Sequence, residues 1–72
     1  MDKEELLKQL GRNIKAERVR KGYSQETFAE FLNVSRSYLG KIETGKQNMS
    51  IGKILELATA LNIHINDLLK FN

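Results

Sequence analysis

The chain has 72 residues, a length that fits one small domain with a packed core and leaves little room for an enclosed substrate pocket. It contains no cysteine, which excludes disulfides and thiolate metal sites. Residues 2–5 are charged and no apolar run is long enough to cross a membrane, so we expect a cytoplasmic protein with no membrane contact. A net charge of +3 and a pI of about 9.4 favour an anionic partner.

Hydrophobic spacing predicts five helices and no strands in one domain, residues 1–72. The first predicted helix covers about residues 3–21, because leucine and isoleucine recur there at helical spacing. Gly22 then ends it. The chain has no proline, so the helix ends are predicted from glycine, asparagine and serine alone.

The second and third predicted helices lie within residues 24–45 and are joined by a short turn. Each begins at a serine that can cap it and ends at a residue suited to the left-handed conformation. The serines are Ser24 and Ser35, and the ending residues are Asn33 and Gly45. The third helix, about residues 35–44, is polar and basic on one side and apolar on the other, which suits the DNA major groove.

The fourth and fifth predicted helices complete the chain. Ser50 caps the fourth helix, which ends near Asn62. Its apolar residues are predicted to form a single stripe: Ile51, Ile54, Leu55, Ala58 and Leu61. The fifth helix is predicted over about residues 65–71.

No catalytic or metal-binding group is predicted. His64 is the only histidine, and no cysteine or second histidine accompanies it as a metal ligand. The sequence also offers no Ser/His/Asp set, glycine-rich phosphate loop or paired carboxylates at a cleft. We therefore expect a protein that is not an enzyme and that needs no cofactor, metal or small-molecule ligand.

Several short segments together resemble the phage repressor and Cro type of helix-turn-helix protein, also called the xenobiotic response element family, across residues 10–69. They are Arg18 ahead of Gly22, Ser24-Gln25-Glu26, Phe28-Ala29, Leu32-Asn33-Val34-Ser35, Ile42-Glu43 followed by Gly45-Lys46, and Leu57-Ala58 with Leu61. The resemblance implies an all-α, five-helix, lambda-repressor-like DNA-binding domain. Three positions depart from the pattern: Asn33 replaces a glycine, Met49 a proline, and His64 a serine or threonine cap.

The resemblance also implies roles for individual residues. The positions matching base contacts are Ser35, Arg36, Ser37 and Lys41. The positions matching backbone contacts are Gln25, Thr44 and Lys46, with Asn48 as a further candidate. Arg18 matches an arginine that forms a buried ion pair with Glu43, and part of it is also expected to face a phosphate.

For two residues of the third helix, two alternative roles stay open. Tyr38 either packs on the sugar-phosphate backbone, and so belongs with the predicted backbone contacts, or it covers the core. Gly40 either lets the helix backbone approach the groove or is a neutral change, although glycine inside a helix costs about 1 kcal/mol relative to alanine.

A homodimer is expected, because one small domain touches too few base pairs and two-fold dimers read two half-sites about 34 Å apart. The predicted dimer surface comprises Ile63, Ile65, Leu69 and Phe71. Phe31 indicates a second possible surface, or a contact with the first predicted helix.

These patterns predict a sequence-specific regulator of transcription that binds a double-stranded DNA operator as a homodimer, with residues 35–44 in the major groove. This architecture resembles that of the small controller proteins of restriction-modification systems, or that of stand-alone phage and plasmid repressors. The alternative is an antitoxin that binds a toxin protein and regulates its own operon. A protein-binding module without DNA contact is disfavoured by the basic residues Arg36, Lys41 and Lys46.

Overall fold

A computed structural model describes residues 1–71, which form helices and connecting turns without a strand. The order of elements is α1 (Lys3–Arg20), α2 (Gln25–Leu32), α3 (Arg36–Glu43), α4 (Ile51–Ala60) and a short 3-10 turn (Ile65–Asp67). Each of the first four begins and ends within two residues of its predicted bounds. No helix in residues 1–71 has the length and apolar character needed to span a membrane.

Side-chain caps explain where the four α-helices begin. In each case the capping oxygen accepts the backbone N–H of the residue three positions later, at 2.8–3.1 Å. The caps are Asp2, Ser24, Ser35 and Ser50. At Ser24 the bond is reciprocal, since the hydroxyl of Thr27 accepts the Ser24 backbone N–H at 3.0 Å.

The predicted fifth helix over residues 65–71 is wrong. Only the 3-10 turn forms, with hydrogen bonds between residues three apart, such as Leu68 N–H to the Ile65 carbonyl at 2.9 Å. The physical reason lies in α1, where the Asn13 amide donates to the carbonyls of Leu68 (3.0 Å) and Lys70 (2.9 Å). This contact from a distant part of the chain holds the C-terminal segment in a non-helical path. At its start, His64 Nδ1 accepts the backbone N–H of Asn66 at 3.1 Å, so the histidine acts as the cap.

The predicted single stripe on α4 is also wrong. Ile54, Ala58 and Leu61 are buried, together with Leu57. Ile51 and Leu55 point away from the core and are 66% and 54% exposed. The stripe therefore divides into a core side and a solvent side, because a helix of ten residues at the surface buries only part of its circumference.

The core is built from all four helices and the C-terminal segment. Its fully buried members include Leu10 and Ile14 of α1, Phe28 of α2, Leu39 of α3 and Leu68. These contacts fix the orientation of α3 relative to α1 and α2, and so fix which side of α3 faces solvent.

A glycine allows α1 and α3 to pack unusually closely. A Cβ atom added at Gly11 would lie 2.5 Å from the Ile42 carbonyl oxygen and 2.6 Å from that of Glu43. Any side chain at this position would push the C-terminal end of α3 away from α1. Position 45 also requires glycine, because its φ is +77° and an added Cβ would lie 2.7 Å from the backbone of Lys8.

Candidate nucleic-acid interface

The turn between α2 and α3 sets the angle at which α3 is presented. Asn33 takes the left-handed conformation, with φ 59° and ψ 43°, and ends α2. The backbone N–H of Val34 then returns to the Ala29 carbonyl at 3.0 Å, and Val34 packs against the core. Ser35 follows at once as the cap of α3. The two helices are thereby held as one rigid unit.

The outer side of α3 carries the residues predicted to contact bases. Arg36, Ser37 and Lys41 are exposed, as is Ser35 at the start of the helix. The Ser35 hydroxyl oxygen accepts the Tyr38 backbone N–H at 3.0 Å, which leaves its O–H free to donate. Ser35, Arg36 and Ser37 thus lie at the start of α3 and Lys41 lies in its last turn, and all four are exposed.

The charge on this surface has one sign. Within residues 36–46 the only acidic residue is Glu43, and it is 6% exposed and paired with Arg18. None of Arg36, Lys41 and Lys46 forms an ion pair with another of residues 1–71. Three unneutralised cations at one helix are an arrangement that attracts a polyanion.

Beneath this surface, Arg18 and Glu43 form a buried ion pair. Arg18 Nε donates to Glu43 Oε2 at 2.7 Å and Nη2 donates to Oε1 at 3.2 Å, while Nη1 donates to the Tyr23 carbonyl at 2.8 Å. Both residues are 6% exposed. Because every guanidinium nitrogen already donates within the protein, Arg18 is placed to support the surface and has few N–H groups left for the phosphate contact predicted for it.

Gln25 connects this ion pair to the surface. It opens α2, is half-buried, and its Nε2 donates to Glu43 Oε1 at 3.1 Å. Both carboxylate oxygens of Glu43 thus accept hydrogen bonds from Arg18, and Oε1 also accepts one from Gln25. An amide nitrogen has two N–H groups, so this contact leaves one for another acceptor.

The other predicted backbone-contacting residues lie around the end of α3. Thr44 ends the helix, and its hydroxyl donates to the Gly40 carbonyl at 2.8 Å. Lys46 and Asn48 follow and are exposed. Tyr38 is half-buried and packs against the core, and its backbone contact stays a prediction.

The four residues predicted to form the dimer surface are half-buried. Ile63, Ile65, Leu69 and Phe71 all pack against the core, although none is fully enclosed. The most exposed large apolar side chains in the second half of the chain, Ile51 and Leu55, lie elsewhere.

A second apolar surface lies between α2 and α4. Phe31 is 60% exposed and stacks on Tyr23 with ring centroids 5.8 Å apart. Phe31 and Leu55 line an open groove of about 630 Å³ together with Gly52, Glu56 and Thr59. The groove is open to solvent and shows no cluster of catalytic groups. Among residues 1–71, no three histidine or acidic side chains are close enough to hold a metal ion.

Sequence reasoning missed two residues and one hydrogen bond that shape the structure around the interface. Gly11 sets the spacing of α1 and α3, and Asn13 holds the C-terminal segment. The bond from Gln25 to Glu43 was also not foreseen. For Gly11 a signal existed, because it precedes Arg18 by seven residues and so lies on the same side of α1.

Comparison with known proteins decides the family. The helix-turn-helix family HTH_3 matches residues 14–68. The chain belongs to this family. It is therefore a transcriptional regulator with a helix-turn-helix DNA-binding domain, and nothing in the family match indicates a catalytic function.

Individual relatives agree with the family match. The chain is 47% identical over 58 residues to the uncharacterized HTH-type transcriptional regulator YazB of Bacillus subtilis, covering 81% of this chain and 84% of YazB. It is 33% identical over 60 residues to the control protein C.SmaI of Serratia marcescens, covering 83% of this chain and 71% of C.SmaI. Among solved structures, the restriction-modification controller protein C.AhdI of Aeromonas hydrophila superposes with a TM-score of 0.84 and 41% identity, covering 94% and 99% of the two chains.

Proposed function

We propose that this helix-turn-helix protein is a sequence-specific regulator that binds a two-fold DNA operator as a homodimer, with residues 35–44 in the major groove. The observation that carries the proposal is the exposed side of α3, where Arg36, Lys41 and the following Lys46 are basic and have no acidic partner within residues 1–71. Such a regulator acts where the cell's DNA lies, in the cytoplasm at the nucleoid.

Base recognition is assigned to the side chains at the start and middle of α3. Arg36 has the planar fork that donates two hydrogen bonds to O6 and N7 of guanine, and Lys41 can donate to the same atoms. Ser35 and Ser37 pair with several bases and contribute less selectivity. All four are exposed on the same helix, which supports their acting on adjacent base pairs.

Backbone contacts are assigned to residues at the margin of that surface. Gln25 stands in the first turn of α2, where free N–H groups and the helix dipole favour a phosphate. Thr44, Lys46 and Asn48 extend the contact beyond the end of α3. We assign Arg18 a supporting role, since it acts on Gln25 through Glu43.

The size of the molecule supports a dimer. Its principal extents are 32 × 24 × 20 Å, so one copy covers about one turn of the duplex, which is about 34 Å long. Two copies side by side would place two recognition helices in successive major grooves on the same side of the DNA. We propose the C-terminal surface of Ile63, Ile65, Leu69 and Phe71 as the contact between copies.

The relatives favour a regulator over the antitoxin alternative, because C.SmaI is named as a control protein and C.AhdI as a restriction-modification controller protein. We therefore propose a regulator of that general kind.

Selection of bound duplexes from a random pool tests the proposed function directly. The wild-type protein is expected to enrich a site with two-fold symmetry whose half-sites are centred about 10 base pairs apart. A single unrepeated half-site would contradict the homodimer. A pool that shows no enrichment would contradict sequence-specific binding.

The dimer surface is tested by comparing Leu69→Glu with Leu55→Glu, two substitutions that each add one charge to a different apolar surface. Sedimentation at micromolar concentration should show a folded monomer for Leu69→Glu and a dimer for Leu55→Glu, because a charge facing its own copy is repelled. Circular dichroism confirms folding, and Phe71→Glu replaces Leu69→Glu if the latter unfolds. The reverse result would move the interface to the groove beside Phe31.

A further inference from the structure

Two of the glycines within helices have no structural need to be glycine. An added Cβ at Gly40 meets only Gln25 Nε2 within 4 Å, at 3.9 Å, and one at Gly52 meets only Ser50 Oγ, also at 3.9 Å. These are ordinary contact distances, in contrast to the 2.5 Å clash that a Cβ at Gly11 would make. The backbone at Gly40 and Gly52 is helical and does not require positive φ.

Glycine at position 40 nevertheless weakens the helix that carries recognition. It is the fifth of eight residues in α3, an interior position where alanine is clearly more favourable than glycine. A short helix is only marginally stable by itself, so a residue with low helix propensity weakens it noticeably. Packing within the protein therefore does not explain the glycine at position 40.

The missing side chain leaves a gap between two parts of the proposed DNA surface. A Cβ at Gly40 would point toward the Gln25 amide, which opens α2, while Lys41 follows on the exposed side of α3. Gly40 itself is half-buried. The gap therefore lies between the residue proposed to hold a phosphate and the helix proposed to read bases.

We propose that Gly40 is a clearance residue: its missing side chain lets the DNA sugar-phosphate backbone approach α3 beside Gln25. This rests on the proposed DNA-binding function and adds a requirement that the fold alone does not impose. The fold tolerates a side chain at position 40, and the complex with DNA does not.

The test uses Gly40→Ala with Gly52→Ala as the matched control, on duplexes enriched by the wild-type protein. Gly40→Ala should raise the melting midpoint, by about 4–8 °C for a domain of this size. It should weaken binding about 10-fold or more, a loss typical of one broken DNA contact. Gly52→Ala should also not lower the midpoint and should keep the wild-type affinity. Gly40→Leu, with a larger side chain, should weaken binding further.

Three outcomes would overturn the proposal. Wild-type affinity in Gly40→Ala would mean that no DNA group approaches the residue. A lowered melting midpoint would mean that the fold itself requires the glycine. If the wild-type protein enriches no duplex at all, the proposed function fails and the clearance role fails with it; this outcome is distinguishable because it appears before any variant is measured.

Discussion

The two sides of α3 use charged residues in opposite ways. On the inner side, Glu43 is buried beside Leu39 and Ile42, and its carboxylate is bonded by Arg18 and Gln25 at 2.7–3.2 Å. On the outer side, Arg36 and Lys41 are exposed and form no ion pair within residues 1–71. The eight residues of α3 thus contain one buried charge that is paired and two exposed charges that are not.

The difference shows how burial decides what a charge does. A buried charge without a partner is very costly, so the inner side must be fully paired and contributes to holding the fold. An exposed cation loses little by remaining unpaired in water, and it keeps its donors available for a phosphate or a base. Stability is therefore expected to depend on the inner side and DNA binding on the outer side.

The largest predicted effect comes from breaking the inner side with Glu43→Ala. The substitution leaves the Arg18 guanidinium buried with only the Tyr23 carbonyl as acceptor, a change that typically costs about 3–5 kcal/mol. For a domain whose total stability is on the order of 5–10 kcal/mol, thermal melts should show a midpoint lowered by more than about 10 °C.

Glu56→Ala provides the control for that measurement. Glu56 also pairs with a cation from its own region, Lys53 at 3.5 Å, but its side chain is 61% exposed. Removing such a surface pair typically changes stability by less than about 1 kcal/mol. If the two variants melt at similar temperatures, the Arg18–Glu43 pair does not carry the stability assigned to it.

A smaller effect, seen in binding rather than folding, is predicted on the outer side. Losing a good base contact typically costs about 1–3 kcal/mol and relaxes the preference at one base position. Losing a phosphate contact weakens binding to all sequences alike and lowers the salt dependence by about one unit of slope. Arg36→Ala is expected to show the first pattern and Lys46→Ala the second, with both variants melting close to the wild type.

The sequence predicted much of this arrangement because its signals are local. Ser24, Ser35 and Ser50 cap helices where they were expected to, and Asn33 adopts the left-handed conformation. The family assignment also followed from short segments, and the match over residues 14–68 confirms it. Caps and turns depend on neighbouring residues, which a single sequence displays directly.

Features that depend on distant contacts were predicted poorly. The C-terminal segment has helical spacing of apolar residues, yet Asn13 takes the carbonyls of Leu68 and Lys70 from 55 and 57 residues away. The exposure of Ile51 and Leu55 likewise depends on how α4 rotates against the core. No local pattern encodes these contacts, and the same holds for the bond between Gln25 and Glu43.

The central claim, that the exposed side of α3 reads base sequence, is tested most directly by selecting duplexes from one random pool with wild-type, Arg36→Ala and Lys46→Ala proteins in parallel. Arg36→Ala should enrich a site that has lost its preference at one position in each half-site. Lys46→Ala should enrich the wild-type site unchanged and bind it more weakly. If Arg36→Ala enriches the same site as the wild type and only binds it more weakly, Arg36 grips the backbone and a different side of the molecule reads the bases.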